Sequence, residues 1–455
     1  MGKTFRKYDM NQQLLLPADV REWLRPDHLA LYISDLVDAL DLSEIMRAYD
    51  EGEQRGRPPY HPAMMLKLLI YGYCTGRMSS RKIEEATYDD VAFRVLSCDQ
   101  QPDHDSIANF RKRHLREFGG LFLQVLKVCE RAGLVKLGHV AIDGTKIKAN
   151  ASNKRLMSYA RLKEAEQGLA SEVARLLSEA QRVDEEEDEL YGPGKRGDEL
   201  PEELRDRTRR LARIKGVLAE MEEEAKAAAA HKKAEKEKPA AERERPNWRP
   251  KWEVSERGEI LPLSKRQRNL TDPDARVMKD LTSRNFQTAY NGQIAVDASS
   301  QIIVAAEIVQ AGNDQQQLVP VLKQVAENLG RMPEAASADG GYYSAAAVSH
   351  ELLRGVNLHV PPSQPDRESL PSKPLTPSAM IQQRMWQKLK SAEGRALYKR
   401  RQAVVEPVFA YIKHVRGFRQ FRMRGLAQVR SEWLMMCLTH NLLKLFGAIK
   451  HPFPA

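Results

Sequence analysis

Two aspartates of this sequence each follow a short apolar run and precede a glycine. Asp143 ends the run HVAI, and Asp339 ends the run AASA. A carboxylate at the end of a buried strand is costly without a partner, and the glycine beside it lets a backbone or a phosphate approach closely. One such aspartate is adequately explained as the cap of a turn, whereas two on adjacent strands favour a shared site.

A third acidic residue, Glu406, stands in the apolar segment AVVEPVF within a strongly basic stretch. The basic residues around it are Arg395, Lys399, Arg400, Arg401, Lys413, Arg416, Arg419, Arg422, Arg424 and Arg430. A lone carboxylate in such surroundings is typical of a metal ligand among phosphate-binding groups, and the alternative is a salt-bridged surface glutamate. Pro407 disfavours a helical conformation for Glu406 itself.

Three convergent carboxylates suit one kind of chemistry. Mg²⁺ prefers hard oxygen ligands and keeps positions open for water and a substrate phosphate. Two such ions about 4 Å apart activate an attacking oxygen and stabilise a leaving oxygen. Asp143, Asp339 and Glu406 are therefore the candidate ligands for two Mg²⁺ ions, with Mn²⁺ as an alternative, in phosphodiester chemistry.

The elements that must position these acids follow a mixed α/β order. We predict strands at 139–145, 290–297, 301–309, 335–339 and 356–360. We predict helices from a cap at Asn313 or Asp314 to Gly330, over 344–354 and over 379–449, the last broken near Pro407 and Gly417. Without the long insertion after the first strand, this is the order of the ribonuclease-H-like fold. That fold places the first strand in the middle of a mixed sheet, next to the fourth.

The first 135 residues read as helical, with helices predicted over 79–96 and 105–131. The short polar link between them is compatible with a helix-turn-helix whose second helix presents Arg111 and Arg113 to DNA. A helical bundle with a solvated basic face explains the pattern equally well.

The insertion, 154–265, carries two sets of heptads. Apolar residues recur every seven positions at Leu162, Leu169 and Leu176, and again at Leu204, Leu211, Leu218 and Ala225. Two such helices joined by a turn are predicted to fold back as an antiparallel hairpin. We predict three parts: a helical DNA-binding domain (1–135), a catalytic core (136–153 and 266–455) and the inserted hairpin with its linker (154–265).

Composition is consistent with a polyanionic partner. Lys and Arg outnumber Asp and Glu by 72 to 62, which gives a net charge of +10. The four cysteines lie far apart without a CxxC pair, which excludes a disulfide scaffold and a zinc module. The start of the chain, MGKTFRKYDM, lacks a signal-peptide pattern, and no run is apolar enough for a membrane span. We expect a soluble cytoplasmic, nucleoid-associated protein without membrane contact.

Four segments of the sequence resemble the DDE transposases of bacterial insertion sequences. These are AIDGTKIKANAS, YNGQIAVD, SADGGYYS and VVEPVFAYIKHVRGFRQFRMRGL. The stretch from RPPYHPAMMLKLLIYGY to PDHDSIANFRKRH, and the segment NLTDPDARVMKD, resemble regions found beside that core. The long hairpin between the first two strands resembles the insertion-sequence-eleven-eighty-two-like group.

The resemblance implies that Asp143, Asp339 and Glu406 form the acidic triad. It implies hydrolysis at transposon ends, followed by attack of the freed 3′-hydroxyl on target DNA. The implied partners are the double-stranded terminal inverted repeats, the target DNA and a second copy of the chain in a homodimer. The family signature places Tyr seven and Arg four residues before the Glu, and Lys seven after it. Lys413 matches, whereas Tyr398 and Arg401 each lie one position early.

We predict that several basic residues bind DNA: Lys146, Arg111, Arg113, Arg401, Lys413, Arg416, Arg419, Arg422 and Arg424. Three rival interpretations remain. A domesticated transposase would bind DNA without cutting it, a nuclease or resolvase would cut without joining, and a coiled-coil scaffold would leave the acids at the strand ends unexplained.

Overall fold

In the computed structural model, the described residues are 19–50, 58–191, 202–237, 252–279, 285–362 and 377–450. The chain divides into two compact units. A helical unit falls within Met1–Leu134, Ala410–Phe418 and Leu434–Ala455, and an α/β unit comprises Val135–Phe409 and Arg419–Trp433. No helix among the described residues has both the length and the apolar character needed to cross a membrane.

Seven α-helices lie within residues 19–50 and 58–134 of the helical unit. They are α1 (Leu29–Ala39), α2 (Ser43–Asp50), α3 (Pro62–Thr75), α4 (Ser80–Asp89), α5 (Val91–Leu96), α6 (His104–Arg113) and α7 (Glu117–Arg131). Helix α3 is buried on nearly every side, because its residues are apolar almost all round. Pro62 occupies its first turn, and Gly76 ends it in the left-handed conformation, with φ of 81°.

Two long helices predicted from the sequence are each divided in the structure. The segment 79–96 breaks at Asp90, whose carboxylate accepts hydrogen bonds from the amides of Ala92 and Phe93 and so starts α5. The segment 105–131 forms α6 and α7 instead of one helix. Helix α6 starts earlier than predicted, because Asp103 caps it through the amide of Ser106 at 2.7 Å.

The described part of the α/β unit contains ten strands. They are β1 (His139–Lys148), β2 (Leu156–Ser158), β3 (Trp252–Val254), β4 (Ile260–Pro262), β5 (Gln267–Asn269), β6 (Arg276–Lys279), β7 (Phe286–Asp297), β8 (Ile302–Val309), β9 (Ala335–Ser337) and β10 (Asn357–His359). Six of them form a mixed sheet in the order β10-β9-β1-β7-β6, with β8 also paired to β7. Strands β2 with β5 and β3 with β4 form two small antiparallel pairs.

Strand β1 lies inside the six-stranded sheet. It pairs in parallel with β9 and antiparallel with β7, while β9 continues in parallel to β10. Along its other edge β7 pairs with β6 and then with β8, and both pairings are antiparallel. The result is a mixed α/β architecture in which the two strands that carry or precede the candidate aspartates are direct neighbours.

Helix α8 (Tyr159–Tyr191) and helix α9 (Glu202–Glu237) follow β2. They pack through an apolar cluster in which Tyr159 and Leu162 meet Ile214, Leu218 and Met221. Further along, Val173 packs with Leu211. Because residue numbers rise along α8 as they fall along α9, the two helices run antiparallel at this contact. It is lined by the heptad leucines Leu162, Leu169, Leu176, Leu211 and Leu218.

The remaining helices are α10 (Leu318–Leu329), α11 (Ala345–Val348), α12 (Pro377–Lys390), α13 (Ala392–Ala410) and α14 (Leu426–Lys450). The predicted break near Pro407 is wrong, because α13 continues through it to Ala410 and leads into a π-helical turn over Tyr411–Val415. The helix predicted over 344–354 is shorter than expected, since α11 has only four residues.

Candidate active site

Asp143 and Asp339 come together because their strands are neighbours. In the parallel pairing of β1 with β9, Ala141 lies opposite Ser337, two residues before each aspartate. Their charges are coupled, since the carboxylate of Asp339 raises the pKa of Asp143. The backbone register of the sheet therefore places the two acids at one level.

Asp143 lies within β1, whereas the sequence predicted it at the end of a strand. The strand continues from Gly144 to Lys148, because these residues pair with Gln293–Ala289 of β7. A Cβ atom at Gly144 would lie 2.5 Å from Gln293 Nε2 and 2.9 Å from Asp314 Oδ1, so a larger residue has no room there. The glycine after Asp143 therefore serves close packing of polar groups inside the sheet.

The carboxylate of Asp143 is paired with a guanidinium. Arg401 Nη1 of α13 lies 3.1 Å from Asp143 Oδ2, and their side chains are 9% and 20% exposed. Burial raises the pKa of Asp143 from 3.8 to about 6, and the charge of Arg401 works in the opposite direction. Arg401 was predicted to bind DNA, but its burial against Asp143 makes it part of the acid site rather than a surface phosphate binder.

Asp339 begins a short 3-10 turn, Gly340–Tyr342, directly after β9. Its Oδ1 accepts a hydrogen bond from the amide of Gly341 at 2.8 Å. A Cβ at Gly341 would lie 2.9 Å from that oxygen. The turn thus fixes the orientation of the carboxylate through the main chain.

A polar network beside the two aspartates was missed by the sequence interpretation. The buried hydroxyl of Tyr342 donates to Gln293 Oε1. The amide nitrogens of Gln293 and Asn291 each donate to Asp314 Oδ1 at 2.7 Å. Burial, with the charges of Asp314, Asp143 and Asp339, raises the pKa of Tyr342. The signal available in the sequence was the pair of amide side chains in the otherwise apolar strand YNGQIAVD.

Glu406 lies on the exposed side of α13. The buried face of this helix is formed by Arg401, Val404, Val405 and Val408, while Glu406 and Pro407 are exposed. Within the described residues, no three Asp, Glu, His or Cys side chains are close enough together to hold a metal ion. The structure therefore brings together two of the predicted acids and leaves the third at the helix surface.

In helix α13, a side chain from outside the helix replaces the hydrogen-bond donor that Pro407 lacks. Proline has no amide hydrogen, so the carbonyl four residues earlier, that of Ala403, loses its helical donor. Gln301 Nε2, from the turn between β7 and β8, donates to Ala403 O at 3.1 Å. The helix that carries Glu406 is thereby tied to the central sheet at the position where proline would otherwise weaken it.

An exposed basic strip, defined as Lys148, Arg419, Arg422 and Arg424, borders the end of β1. The amide of Lys148 donates to Arg419 O at 3.3 Å, and Arg424 Nε donates to Asn150 O at 2.8 Å. All four strip residues are exposed. Lys146, predicted to contact phosphate, is half-buried on the same strand. Three of the arginines predicted to bind DNA therefore lie beside the end of the strand that carries Asp143.

In the helical unit, Arg416 is a structural residue. It is 4% exposed, and its Nη1 donates to Thr439 Oγ1 at 2.7 Å and to Met436 O at 3.4 Å. Burial also lowers the pKa of its guanidinium. The prediction that Arg416 binds phosphate therefore does not hold, because its donors face the interior.

The other basic residues predicted in the helical unit differ in exposure. Arg111 is half-buried and donates to Met78 O at 3.1 Å, so it also supports the fold. Arg113 is exposed, with its guanidinium 5.5 Å from the ring centre of Tyr49. Lys413 is half-buried. Arg113 is thus the most accessible of these residues to a phosphate.

Two segments of the chain match known families. Residues 18–113 match a transposase domain (DUF772), and residues 373–446 match a transposase DDE domain. No curated protein matches the chain. The second segment includes Glu406, whereas Asp143 and Asp339 lie outside both. These matches confirm the predicted resemblance to insertion-sequence DDE transposases.

Proposed function

We propose that this chain, a transposase of the DDE type, binds the ends of its transposon, cuts the DNA there and joins the freed ends to target DNA. In this proposal water is the first nucleophile and the DNA 3′-hydroxyl the second, so no covalent protein intermediate is formed. The observation that carries the proposal is that the parallel register of β1 with β9 brings Asp143 and Asp339, each two residues past the last paired position, to one end of that pairing.

We assign the six-stranded sheet to the ribonuclease-H-like class. Taken in chain order, β1, β7, β8, β9 and β10 correspond to the five strands of that core. Their arrangement, with the first strand between the second and the fourth, is supported by the pairings of β1 with β7 and β9. The position of α8 and α9 between the first two strands agrees with the resemblance to the insertion-sequence-eleven-eighty-two-like group.

We assign a pair of divalent cations to Asp143, Asp339 and Glu406. DDE transposases generally use such ions, and the donors here are hard carboxylate oxygens, which suit Mg²⁺ or Mn²⁺. The raised pKa of Asp143 beside Asp339 also fits, because two neighbouring half-buried carboxylates favour a compensating cation. When bound, the ions would activate the attacking oxygen and stabilise the leaving oxygen.

The chain's own residues prepare this site for DNA. Arg401 favours the ionised form of Asp143. The Gly341 amide orients Asp339, and the network of Tyr342, Gln293 and Asp314 fills the space behind the acids. The basic strip beside β1 would neutralise DNA phosphates next to the cutting site.

We propose double-stranded DNA as the partner, both as terminal inverted repeats and as target, with a homodimer as the active assembly. The helical unit, with Arg113 exposed on α6, is assigned to end recognition. Helices α8 and α9 are assigned to dimerisation or to gripping the transposon end. Removal of 155–265 without a change in oligomeric state or end binding would exclude that role.

The proposal is tested by Mg²⁺-dependent cleavage and joining of DNA that carries the sequences flanking the gene. Asp143→Asn, Asp339→Asn and Glu406→Gln should each lower cleavage by about 10³-fold or more, since each removes a proposed ligand charge. Glu393→Gln, at an exposed position of the same helix α13, is the matched control and should cleave normally.

The rival functions give different results in the same assay. A chain that binds these ends without cleaving them would be a catalytically silent, domesticated DNA-binding protein. A chain that cleaves without transferring a labelled end into a plasmid would be a nuclease. Full activity of Glu406→Gln would remove Glu406 from the proposed triad and leave the aspartate pair.

A further inference from the structure

Four arginines surround one cavity on the inserted part of the α/β unit. The cavity has a volume of about 370 Å³ and is lined by Arg155, Arg209, Arg210, Arg213, Ile214, Leu270 and Thr271. The four arginines are exposed, while Ile214 and Leu270 are buried and form an apolar floor. Four exposed guanidiniums around one cavity match a phosphate-bearing ligand.

Three separate segments bring these arginines together. Arg209, Arg210 and Arg213 lie within about one turn of α9. Arg155 lies in the turn before β2, where its carbonyl accepts a hydrogen bond from the Leu270 amide at 3.0 Å. Arg213 Nη2 donates to Thr271 O at 3.0 Å. The guanidinium of Arg213 and the main chain of Arg155 are therefore held by contacts that exist without a ligand.

The charge of this cavity is not balanced by acidic side chains. Across the described ranges of the chain, none of its four guanidiniums forms a salt bridge with a carboxylate. Like charges three or four residues apart on a helix are unfavourable, and Arg213 stands in that relation to both Arg209 and Arg210. An anion bound in the cavity would relieve this repulsion.

A second arginine group on the same helix shows what a structural cluster looks like. Glu224 of α9 binds three guanidiniums, those of Arg266, Arg268 and Arg276, and the contact with Arg276 Nη2 is 2.8 Å. Arg268 is 2% exposed. That group is buried around a carboxylate and joins α9 to β5 and β6, whereas the arginines of the cavity face solvent.

The cavity also continues the basic strip. The segment from Lys148 to Arg155 connects the strip to the cavity. Asn150 Nδ2 donates to Arg422 O of the strip, and Asn269 Nδ2, next to Leu270 of the cavity, donates to Ser152 O. A DNA strand that reaches Asp143 along the strip therefore has further positive charge ahead of it.

We propose that the cavity of Arg155, Arg209, Arg210 and Arg213 is a binding site for the DNA backbone. Phosphates would pair with the exposed guanidiniums around the cavity. The proposal rests on the function proposed above and deepens it, because it assigns the inserted helices a direct grip on DNA away from the site of cutting.

The test uses the full-length chain and duplexes of random sequence from about one to about four helical turns. The variant is Arg209→Gln combined with Arg210→Gln. The control is Arg161→Gln combined with Lys215→Gln, which removes the same charge from exposed positions of α8 and α9 outside the cavity. Fluorescence anisotropy gives affinity against duplex length and salt, and circular dichroism and Tm monitor folding.

We expect wild type and control to gain affinity once the duplex is long enough to reach the cavity, and the variant to lack that gain. The salt dependence, −dlogK/dlog[salt], should fall by about 2 for two lost phosphate contacts. On a separate set of duplexes that carry the sequences flanking the gene, cleavage of the shortest duplex that still reacts should be unchanged. Because Arg155→Gln lies outside the helices, it should reproduce part of the loss even if the double variant unfolds.

Equal affinity and salt dependence in variant and control would overturn the proposal while leaving the proposed function intact. So would a cavity that responds to inorganic phosphate, by a rise in Tm, without any loss of DNA affinity in the variant. Failure of the wild-type chain to bind any duplex would instead contradict the proposed function itself.

Discussion

The acids on the sheet and the acid on helix α13 are held in different ways. The backbone positions Asp143 and Asp339, through the register of β1 with β9 and the turn after β9. Glu406 depends on the setting of one helix and is exposed on it. The difference teaches that the sheet fixes two proposed ligands before any ion or DNA binds, whereas the third belongs to an element that approaches from outside the sheet.

After the substitutions of the three acids themselves, the largest effect is expected at the contact of Arg401 with Asp143, which links the two regions. Arg401→Gln should lower cleavage roughly 10²-fold, since it removes a charged group that is oriented toward the acid site. Arg400→Gln, at the exposed neighbouring position, is the control and should have little effect. Equal losses in the two variants would mean that general positive charge on α13 matters rather than this ion pair.

The pH dependence of cleavage should be set by the protonation of Asp143 on the sheet. Because burial raises the pKa of Asp143 to about 6 in the metal-free chain, cleavage at limiting Mg²⁺ should rise through this region and fall about tenfold per pH unit below it. In Arg401→Gln the rising limb should move to higher pH, since Arg401 holds that pKa down. A limb near the ordinary value of 3.8 would contradict the burial of Asp143.

The raised pKa of Asp143 affects stability in the opposite direction: activity should rise with pH, whereas the free energy of unfolding should fall. The folded metal-free chain holds the proton of Asp143 more tightly than the unfolded chain. The free energy of unfolding therefore decreases as pH rises from 3.8 to about 6. Thermal unfolding of metal-free protein across this window, compared with Asp143→Asn, measures the contribution.

Metal binding should separate the sheet acids from the helix acid. Mg²⁺ should raise the Tm of the wild type by a few degrees at neutral pH, since it binds the folded state. Asp143→Asn and Asp339→Asn should abolish the rise, whereas Glu406→Gln should retain part of it, with Glu393→Gln behaving as wild type. A complete loss in Glu406→Gln would show that the sheet acids alone do not form a site.

The smallest expected effect concerns the network behind the sheet acids. Tyr342→Phe leaves the Gln293 oxygen without its donor and should lower the free energy of unfolding by about 1 kcal/mol. Tyr343→Phe is the control, because within the described part of the chain its buried hydroxyl has no hydrogen-bond partner. Chemical denaturation measures both, and equal effects would exclude a specific role for the Tyr342 hydroxyl.

Local sequence patterns predicted those strands and helices whose structure is set by residues close together in the chain. The apolar runs before Asp143 and Asp339 predicted two buried strands, and the heptad leucines predicted the two long helices of the insertion. Short-range rules also located α10 with Gly330 at its end, where φ is 72°. In these segments the residues that set the structure are close together in the sequence.

The features that the sequence did not predict depend on contacts between distant residues or on helix caps that interrupt an apolar periodicity. Arg401 reaches Asp143 across 258 positions, so no local pattern indicates the ion pair. The burial of Arg416 depends on carbonyls of α14. At Asp90 the side chain ended one helix and began another, although the apolar periodicity continued. Pro407 was expected to break α13, because the donor that replaces its missing amide comes from Gln301.

That last contact has a consequence for the history of the chain. A proline at position 407 and a long amide at position 301 solve one structural problem together, so a change at either one removes the reason for the other. Across related sequences, the two positions should be inherited as a pair: where 407 is an ordinary residue, 301 should vary freely. Gln301 and Ala403 are separated by 102 positions in the sequence. A turn of the sheet and a distant helix would then have evolved as a single unit.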